Sequence, residues 1–330
     1  MRFRMPGKWT KSLLVAIGVG LFFFLIWRIG FGAIWENISR FGIWFAVILA
    51  VGGGWLFVQT CAWSIIQNAF FQKVRFLALF RIKIIGDALN ILVPSASLGG
   101  EAARAMLLRK AVPLKQGIPS VLFDKTIEFV ASTVFLAVGF LLGAICLKLP
   151  DGLLVPTLIG LAATIAGVIL LIYFSYRGFY GILLKLFGRH PKTKGWLTAR
   201  ESLLRELDSN LRMLYTNGNW RILAAGGLHF LGRILGTFEL LIILRVLGVP
   251  VGIIQALFIY VIIVVVNTVF FILPGQWGVT ESTGILILKG MGQTAALGLS
   301  LGVIRRMRKL AFVGLAIVLF MTEKKGTPGK

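Results

Sequence analysis

The residues of this chain that could do chemistry gather around two breaks in otherwise apolar sequence. One reads LVPSASLGGE (92–101), the other LPGQWGVTE (273–281). In each an acid follows a proline by seven residues, Pro94 to Glu101 and Pro274 to Glu281. Pro94 cannot continue a helix, because it lacks an N–H and clashes with the preceding turn. Gly99 and Gly100 let the backbone turn and approach closely. A helix starting near Gly100 would carry Glu101, Arg104 and Leu108 on one face. Another is expected to start near Thr280. The free amides and partial positive charge of such helix starts suit an anionic group. Further ionisable residues stand inside apolar runs: Asp124 and Glu128 at i, i+4, His229 and Arg233 at i, i+4, and the cluster Arg305, Arg306, Arg308, Lys309. Ionisable residues in such runs are costly and mark pathways or partners for one another. Our expectation is that Asp124 and Glu128 balance part of the 305–309 cluster and that the surplus positive charge holds a phosphate.

Bond-making chemistry has little support. The sequence holds no HExxH, GxSxG, P-loop or dinucleotide fingerprint in context. Two His and twelve acids leave little for acid–base work. No cofactor or metal site is expected; Cys61 and Cys146 both lie in apolar runs with no CxxC partner. Each singled-out residue also admits a purely structural role. Arg104 and Arg109 could anchor a cytoplasmic end, Glu101 and Glu281 could complement helix dipoles, and Asp124 and Glu128 could be simple ion-pair partners. His229 could be a satisfied core residue.

The elements that must position these groups are membrane helices. Of 330 residues 58% are hydrophobic and 14% charged, with mean hydropathy +0.90. Several apolar runs exceed the ~18 residues needed to cross the ~30 Å of hydrocarbon as helix. They are continuous rather than alternating, which excludes a β-barrel. The net charge of +23 sits in loops beside these runs, a pattern of membrane topology and anionic-lipid contact rather than nucleic-acid binding. Spans are expected near 12–30, 41–67, 118–147, 152–174, 220–246 and 293–321, with the first left uncleaved. Segment 177–219 is basic, and its second half has the spacing of an amphipathic surface helix.

The basic stretches at the N-terminus, 69–83, 104–115, 177–219 and the C-terminus are placed in the cytoplasm, and the loops near 31–40, 148–151 and 247–250 outside. Regions 76–108 and 251–290 must then each enter and return on one side as re-entrant hairpins. Each break trails the start of a long span by a similar distance, 41 to 94 and 220 to 274. Each half reads span, span, hairpin, span, with opposite starting sides. The fold class expected is therefore an all-α polytopic membrane protein with an inverted-topology repeat, 12–147 and 152–321, of six full spans and two hairpins. Glu101 precedes Asp124 by 23 residues and Glu281 precedes Arg305 by 24, so an acidic pair in one half corresponds to a basic cluster in the other.

Four motifs in order, LVPSASLGGEAARAMLL, VLFDKTIEF, ILPGQWGVTES and SLGVIRRMRKL, resemble the lysylphosphatidylglycerol synthase transmembrane family, also called flippase-like. The GGE variant, the D-x-T-x-E segment and the paired Arg are most similar to its hopanoid-biosynthesis-associated branch. In two-domain relatives this region moves aminoacylated phospholipid between leaflets while a soluble domain performs aminoacyl transfer. The resemblance implies lipid handling, and the chain's end at FMTEKKGTPGK argues against a synthase. By motif position it points to Pro94, Gly100, Glu101, Arg104, Pro274, Gly278, Glu281 and Arg305.

The function expected is binding of an amphipathic lipid at mid-membrane and its movement between leaflets of a bacterial inner membrane, with both termini cytoplasmic. Partners would be that lipid, anionic lipids at the cytoplasmic face and lipid-biosynthesis enzymes, with no nucleic acid. Two other classes stay open. One is a membrane enzyme using Glu101 or Glu281 as base on a lipid-linked substrate. The other is a non-transporting accessory protein that docks such enzymes through 177–219.

Overall fold

The computed structural model describes residues 39, 41–92, 98–147, 220–269 and 279–322, with scattered positions between 162 and 209. The expected spans 12–30 and 152–174, most of segment 177–219, the termini, and Pro94, Pro274 and Gly278 fall outside the described residues, wholly or nearly so.

Eight helices carry the described chain: α1 (Ile43–Phe70), α2 (Phe76–Leu92), α3 (Leu98–Leu108), α4 (Leu114–Cys146), α5 (Trp220–Val246), α6 (Ile253–Val269), α7 (Val279–Gly290) and α8 (Ala295–Met321). Each of the two broken regions resolves into a 17-residue helix and a shorter partner, α2 with α3 and α6 with α7. α1, α4 and α5 are long and apolar enough to cross a membrane. α8 is as long as α5, but its centre holds four cations.

Packing follows from where the small and polar residues lie. Helices surrounded by lipid gain little from burying apolar surface against each other, so close approach and hydrogen bonds decide the contact. α1 turns Ile48, Gly52, Leu56, Gln59, Trp63 and Ile66 inward at three- and four-residue spacing. α5 meets it with Ile222, Ala225, His229, Gly232 and Gly236. This is the most extensive helix pair among the described residues. A side chain at Gly232 would press on Gln59 Nε2 at 2.8 Å, so glycine is what lets the two helices come this near. Outward-facing positions stay apolar: Ile43, Leu77, Ile145, Leu223 and Leu286 are all more than 70% exposed. Water would not tolerate so broad a greasy exterior, whereas lipid does. The molecule is thus a polytopic helical membrane protein.

The pairings repeat. In the first group α1 packs on α2 and α4, α2 on α3, and α3 on α4; in the second α5 packs on α6 and α8, α6 on α7, and α7 on α8. Between the groups α1 meets α5, α4 meets α5 and α6, and α8 meets α2 and, slightly, α1. The helix lengths match in the same order, 28, 17, 11 and 33 residues against 27, 17, 12 and 27.

Within the stretch 69–83 the cations do not all lie in a loop. α2 already begins at Phe76, and Lys83 is buried at 2% exposure with its ammonium 3.3 Å from Asp87. One helical turn separates the two, so the acid supplies the counter-charge that a buried lysine requires. The stretch 104–115 is split likewise: Arg104 is fully buried while Arg109 and Lys110 are exposed.

Gly100 is the tightest point of the first broken pair, because a Cβ there would collide with the Gly86 carbonyl and the Asn90 side chain. Gly100→Ala is expected to destabilise the protein by about 1–3 kcal/mol, the usual cost of overpacking. Gly227→Ala, which meets open space, should change stability by no more than about 0.5 kcal/mol. Equilibrium unfolding in mixed detergent checks both, and equal shifts would discount the close approach.

Candidate functional site

The structure sorts the polar residues of the interior into two clusters. The first is organised by Asp124 on α4, which has no exposed surface. Its Oδ2 accepts a hydrogen bond from Arg104 Nη2 on α3 at 2.7 Å, and its Oδ1 lies 3.1 Å from His229 Nε2 on α5. The other imidazole nitrogen, Nδ1, touches the Gln59 side-chain amide of α1. With that amide turned so that Nε2 donates to Nδ1, and His229 Nε2–H donating to Asp124, a neutral imidazole is satisfied on both sides. The Arg104 guanidinium also lies over the Trp63 ring, 4.0 Å from its centre. Trp63 Nε1 donates to Ser120 Oγ at 3.0 Å, and Ser120 in turn bonds Gln67. One carboxylate thus joins four helices.

A second set of charges adjoins it. Glu101 Oε2 accepts from Asn90 Nδ2 at 2.9 Å, and its Oε1 lies 3.3 Å from Lys125 Nζ. Lys125 also reaches Glu128 at 3.1 Å, and Arg233 approaches Glu128 at 3.8 Å while donating to Ser132 Oγ at 2.9 Å. Asp124 and Glu128 therefore spend their charge on Arg104, His229, Lys125 and Arg233, and not on the α8 cations as the sequence suggested. The reason is placement: α4 packs on α1, α3, α5 and α6, so its acids meet the basic residues of α3 and α5 at close range.

The second cluster lies where α6, α7 and α8 meet. Arg306 Nη2 pairs with Glu281 Oε1 at 2.6 Å, and Thr280 Oγ1 donates to Asn267 Oδ1 at 3.3 Å. Arg308 stands 3.0 Å from Glu239 of α5. Arg305 is 8% exposed, rests over the Tyr260 ring at 5.7 Å, and has no hydrogen-bond partner for Nε or Nη1 among the described residues. Asn267, Thr280, Gly302, Arg305, Arg306 and Lys309 line a small nook of about 20 Å³. Gly302 makes room, since a Cβ there would meet Glu281 Cα at 3.0 Å.

The two clusters share a plan. Asn90 and Asn267 each stand two residues before the end of their 17-residue helix. Each accepts a hydrogen bond from the residue just before the acid, Gly100 N–H at 2.7 Å in one case and the Thr280 hydroxyl in the other. Each acid then pairs with a cation on the following long helix, Glu101 with Lys125 and Glu281 with Arg306. Gly99 stands in the first turn of α3 and needs no side chain for any of this.

Of the residues the sequence singled out, Glu101, Arg104, Asp124, Glu128, His229 and Arg233 come together in the first cluster. Glu281, Arg305, Arg306 and Lys309 form the second, with Arg308 beside it. Sequence reasoning missed Lys83, Asp87, Asn90, Lys125, Glu239 and Asn267. Glu239 did carry a signal, as the one acid inside the apolar run 220–246. The matched Asn positions were not legible from the breaks, since Asn90 precedes Glu101 by 11 residues and Asn267 precedes Glu281 by 14.

An all-helical membrane fold with two broken helix pairs, each closed by an Asn and an acid, defines a polytopic membrane protein with its polar residues buried between helices. The family model described as the lysylphosphatidylglycerol synthase TM region matches residues 12–317, and the chain belongs to that family. It is 25% identical over 320 residues, 91% of each chain, to a UPF0104 membrane protein of Methanothermobacter thermautotrophicus. It is 28% identical over 138 residues, 40% of each chain, to a UPF0104 membrane protein of Pyrococcus horikoshii. No solved structure matches.

Removing the Asp124 charge should strand Arg104 without its carboxylate in a fully buried position. Asp124→Asn is expected to lose about 3–5 kcal/mol of stability, whereas the apolar pair Asp124→Leu with Arg104→Met should recover most of it. Unfolding midpoints of the two variants test this; an undisturbed Asp124→Asn protein would show that the pair does not hold α3 to α4.

Proposed function

We propose that this protein binds a membrane lipid with a polar or anionic headgroup and moves it between leaflets. The observation that carries the reading is the recurrence of one motif, Asn, helix break, acid and long-helix cation, in two groups of four helices with matching lengths and pairings. Such recurrence supports an inverted repeat running 12–147 and 152–321, in which α2–α3 and α6–α7 are re-entrant hairpins and the remaining long helices span. Membership of a family whose description names a lipid supports a lipid ligand. Irregular backbone at membrane depth belongs where it is buried in protein or lines a wet cavity. Rocking of one group against the other about the α1–α5 pair would then expose the hairpins to each side in turn.

Placement in a bacterial inner membrane, both termini cytoplasmic, follows from the basic segments and belongs to the same proposal, as does lipid handling without catalysis. Anionic lipids would contact the cytoplasmic face, and lipid-biosynthesis enzymes, hopanoid ones included, remain candidate partners.

Leaflet exchange of fluorescently labelled phosphatidylglycerol in proteoliposomes tests the reading. Wild-type protein is expected to raise the fraction of lipid reachable by an impermeant quencher well above that of protein-free vesicles. Locking one hairpin by Glu281→Leu, which strands Arg306, should slow exchange by about tenfold or more. No exchange by folded wild-type protein with any of a panel of anionic and neutral lipids would remove the transport function.

A further inference from the structure

The two clusters differ in one respect that their shared plan does not require, and that is charge. The first contains three carboxylates, Glu101, Asp124 and Glu128, and three cations, Arg104, Lys125 and Arg233, so these charges balance one for one. The second contains three cations, Arg305, Arg306 and Lys309, around the single carboxylate Glu281. The inversion follows the register of the long helices. Asp124 and Glu128 stand four apart on α4, and Arg305 and Lys309 stand four apart on α8, 23 and 24 residues after the respective hairpin acids Glu101 and Glu281. Where the first half places acids, the second places bases.

Buried charge without a counter-charge is expensive, and Arg305 is more than nine-tenths buried with two guanidinium nitrogens unbonded among the described residues. Lys309 adds a second cation on the same helix face, and Glu281 is already occupied by Arg306. The breaks at 93–97 and 270–278 contain no acidic residue that could supply the deficit. The first turn of α7 borders the same nook through Thr280 and brings the positive end of a helix. An excess of positive charge, forked guanidinium donors and a helix start match a tetrahedral dianion. A phosphomonoester carries about −1.5 to −2 near neutrality, and a phosphodiester carries only one negative charge.

We propose that the nook lined by Arg305, Lys309 and Thr280 is the headgroup site of the molecule, that it is single rather than repeated in the other half, and that it takes the terminal phosphate of a phosphomonoester lipid. Arg305 supplies the paired N–H donors, Lys309 the second charge, and Arg306 holds Glu281 aside. This deepens the reading of a lipid-moving protein and rests on it for the lipid tail, while the phosphate site itself stands on the charge count.

Binding is measured apart from transport. Purified protein in neutral detergent is titrated with dihexanoyl phosphatidic acid, dihexanoyl phosphatidylglycerol and inorganic phosphate by calorimetry. The expected result is that the monoester lipid binds about tenfold or more tighter than the diester, and tighter than inorganic phosphate. Arg305→Gln and Lys309→Gln should each weaken the monoester about tenfold, Arg305→Lys less so, and the exposed Arg81→Gln not at all. Equal affinity for monoester and diester, or unchanged binding in both glutamine variants, overturns the site. Inorganic phosphate binding as tightly as the lipid overturns the lipid assignment. Should Arg305→Gln fail to fold, Lys309→Gln and the thermal stabilisation of wild type by each ligand carry the same decision. Weakened monoester binding with no leaflet exchange by wild type would keep the site and remove the transport function. Normal exchange with variant-insensitive binding would do the reverse.

Discussion

A charge inside a membrane protein has to meet its opposite within a few ångströms, because lipid and packed side chains offer it no water. Much of this architecture depends on one instance. Asp124, wholly buried on α4, is shared by Arg104 of α3 and His229 of α5, and His229 passes the contact on to Gln59 of α1. Four helices from distant parts of the chain are thereby fixed in rotation as well as position. Arg104 could not be turned toward solvent without leaving both Asp124 and the face of Trp63. An apolar contact would permit sliding, whereas a directional pair does not.

Glycine provides the complementary constraint. Gly232 lets α1 and α5 approach, Gly100 lets α3 close on α2, and Gly284 with Gly298 lets α7 lie against α8. In a lipid environment small residues at crossings do much of what hydrophobic burial does in water, since backbones that come near gain dispersion and place short polar side chains within reach. The Asn90–Gly100 hydrogen bond exists only because nothing but hydrogen occupies the Gly100 side-chain position. Close packing and polar pairing are in that sense one device.

Two groups of helices built to the same plan need not have the same chemistry. The acids of the first are balanced once Arg233 of α5 is counted, and these charges serve cohesion. The second keeps an excess of cations beside an open nook. In the proposed transport function this asymmetry divides the labour, with one half as scaffold and the other presenting the headgroup contact. The Arg308–Glu239 pair, which joins α8 to α5, would hold the second group together as one body during any relative motion.

Much of the fold was legible in the residues. Continuous apolar runs gave the long helices, and run 220–246 matches α5 residue for residue. Pro and Gly marked both breaks, because neither can continue a helix without cost, and the matched spacing of Pro94–Glu101 and Pro274–Glu281 pointed to related halves. The sequence also picked out most ionisable residues of the interior, though not Lys83, Asp87, Lys125 or Glu239, since charge in an apolar run has few explanations. Partner choice was another matter. Lys83 read as a loop cation and is a buried ion pair; Asp124 and Glu128 read as partners of the α8 cluster and are satisfied by α3, α4 and α5. Composition and periodicity determine which segments must be helices in lipid, because every backbone amide there has to be bonded within its own segment. Only the tertiary arrangement decided which charges meet, because Coulomb attraction depends on distances between helices that the linear spacing does not contain.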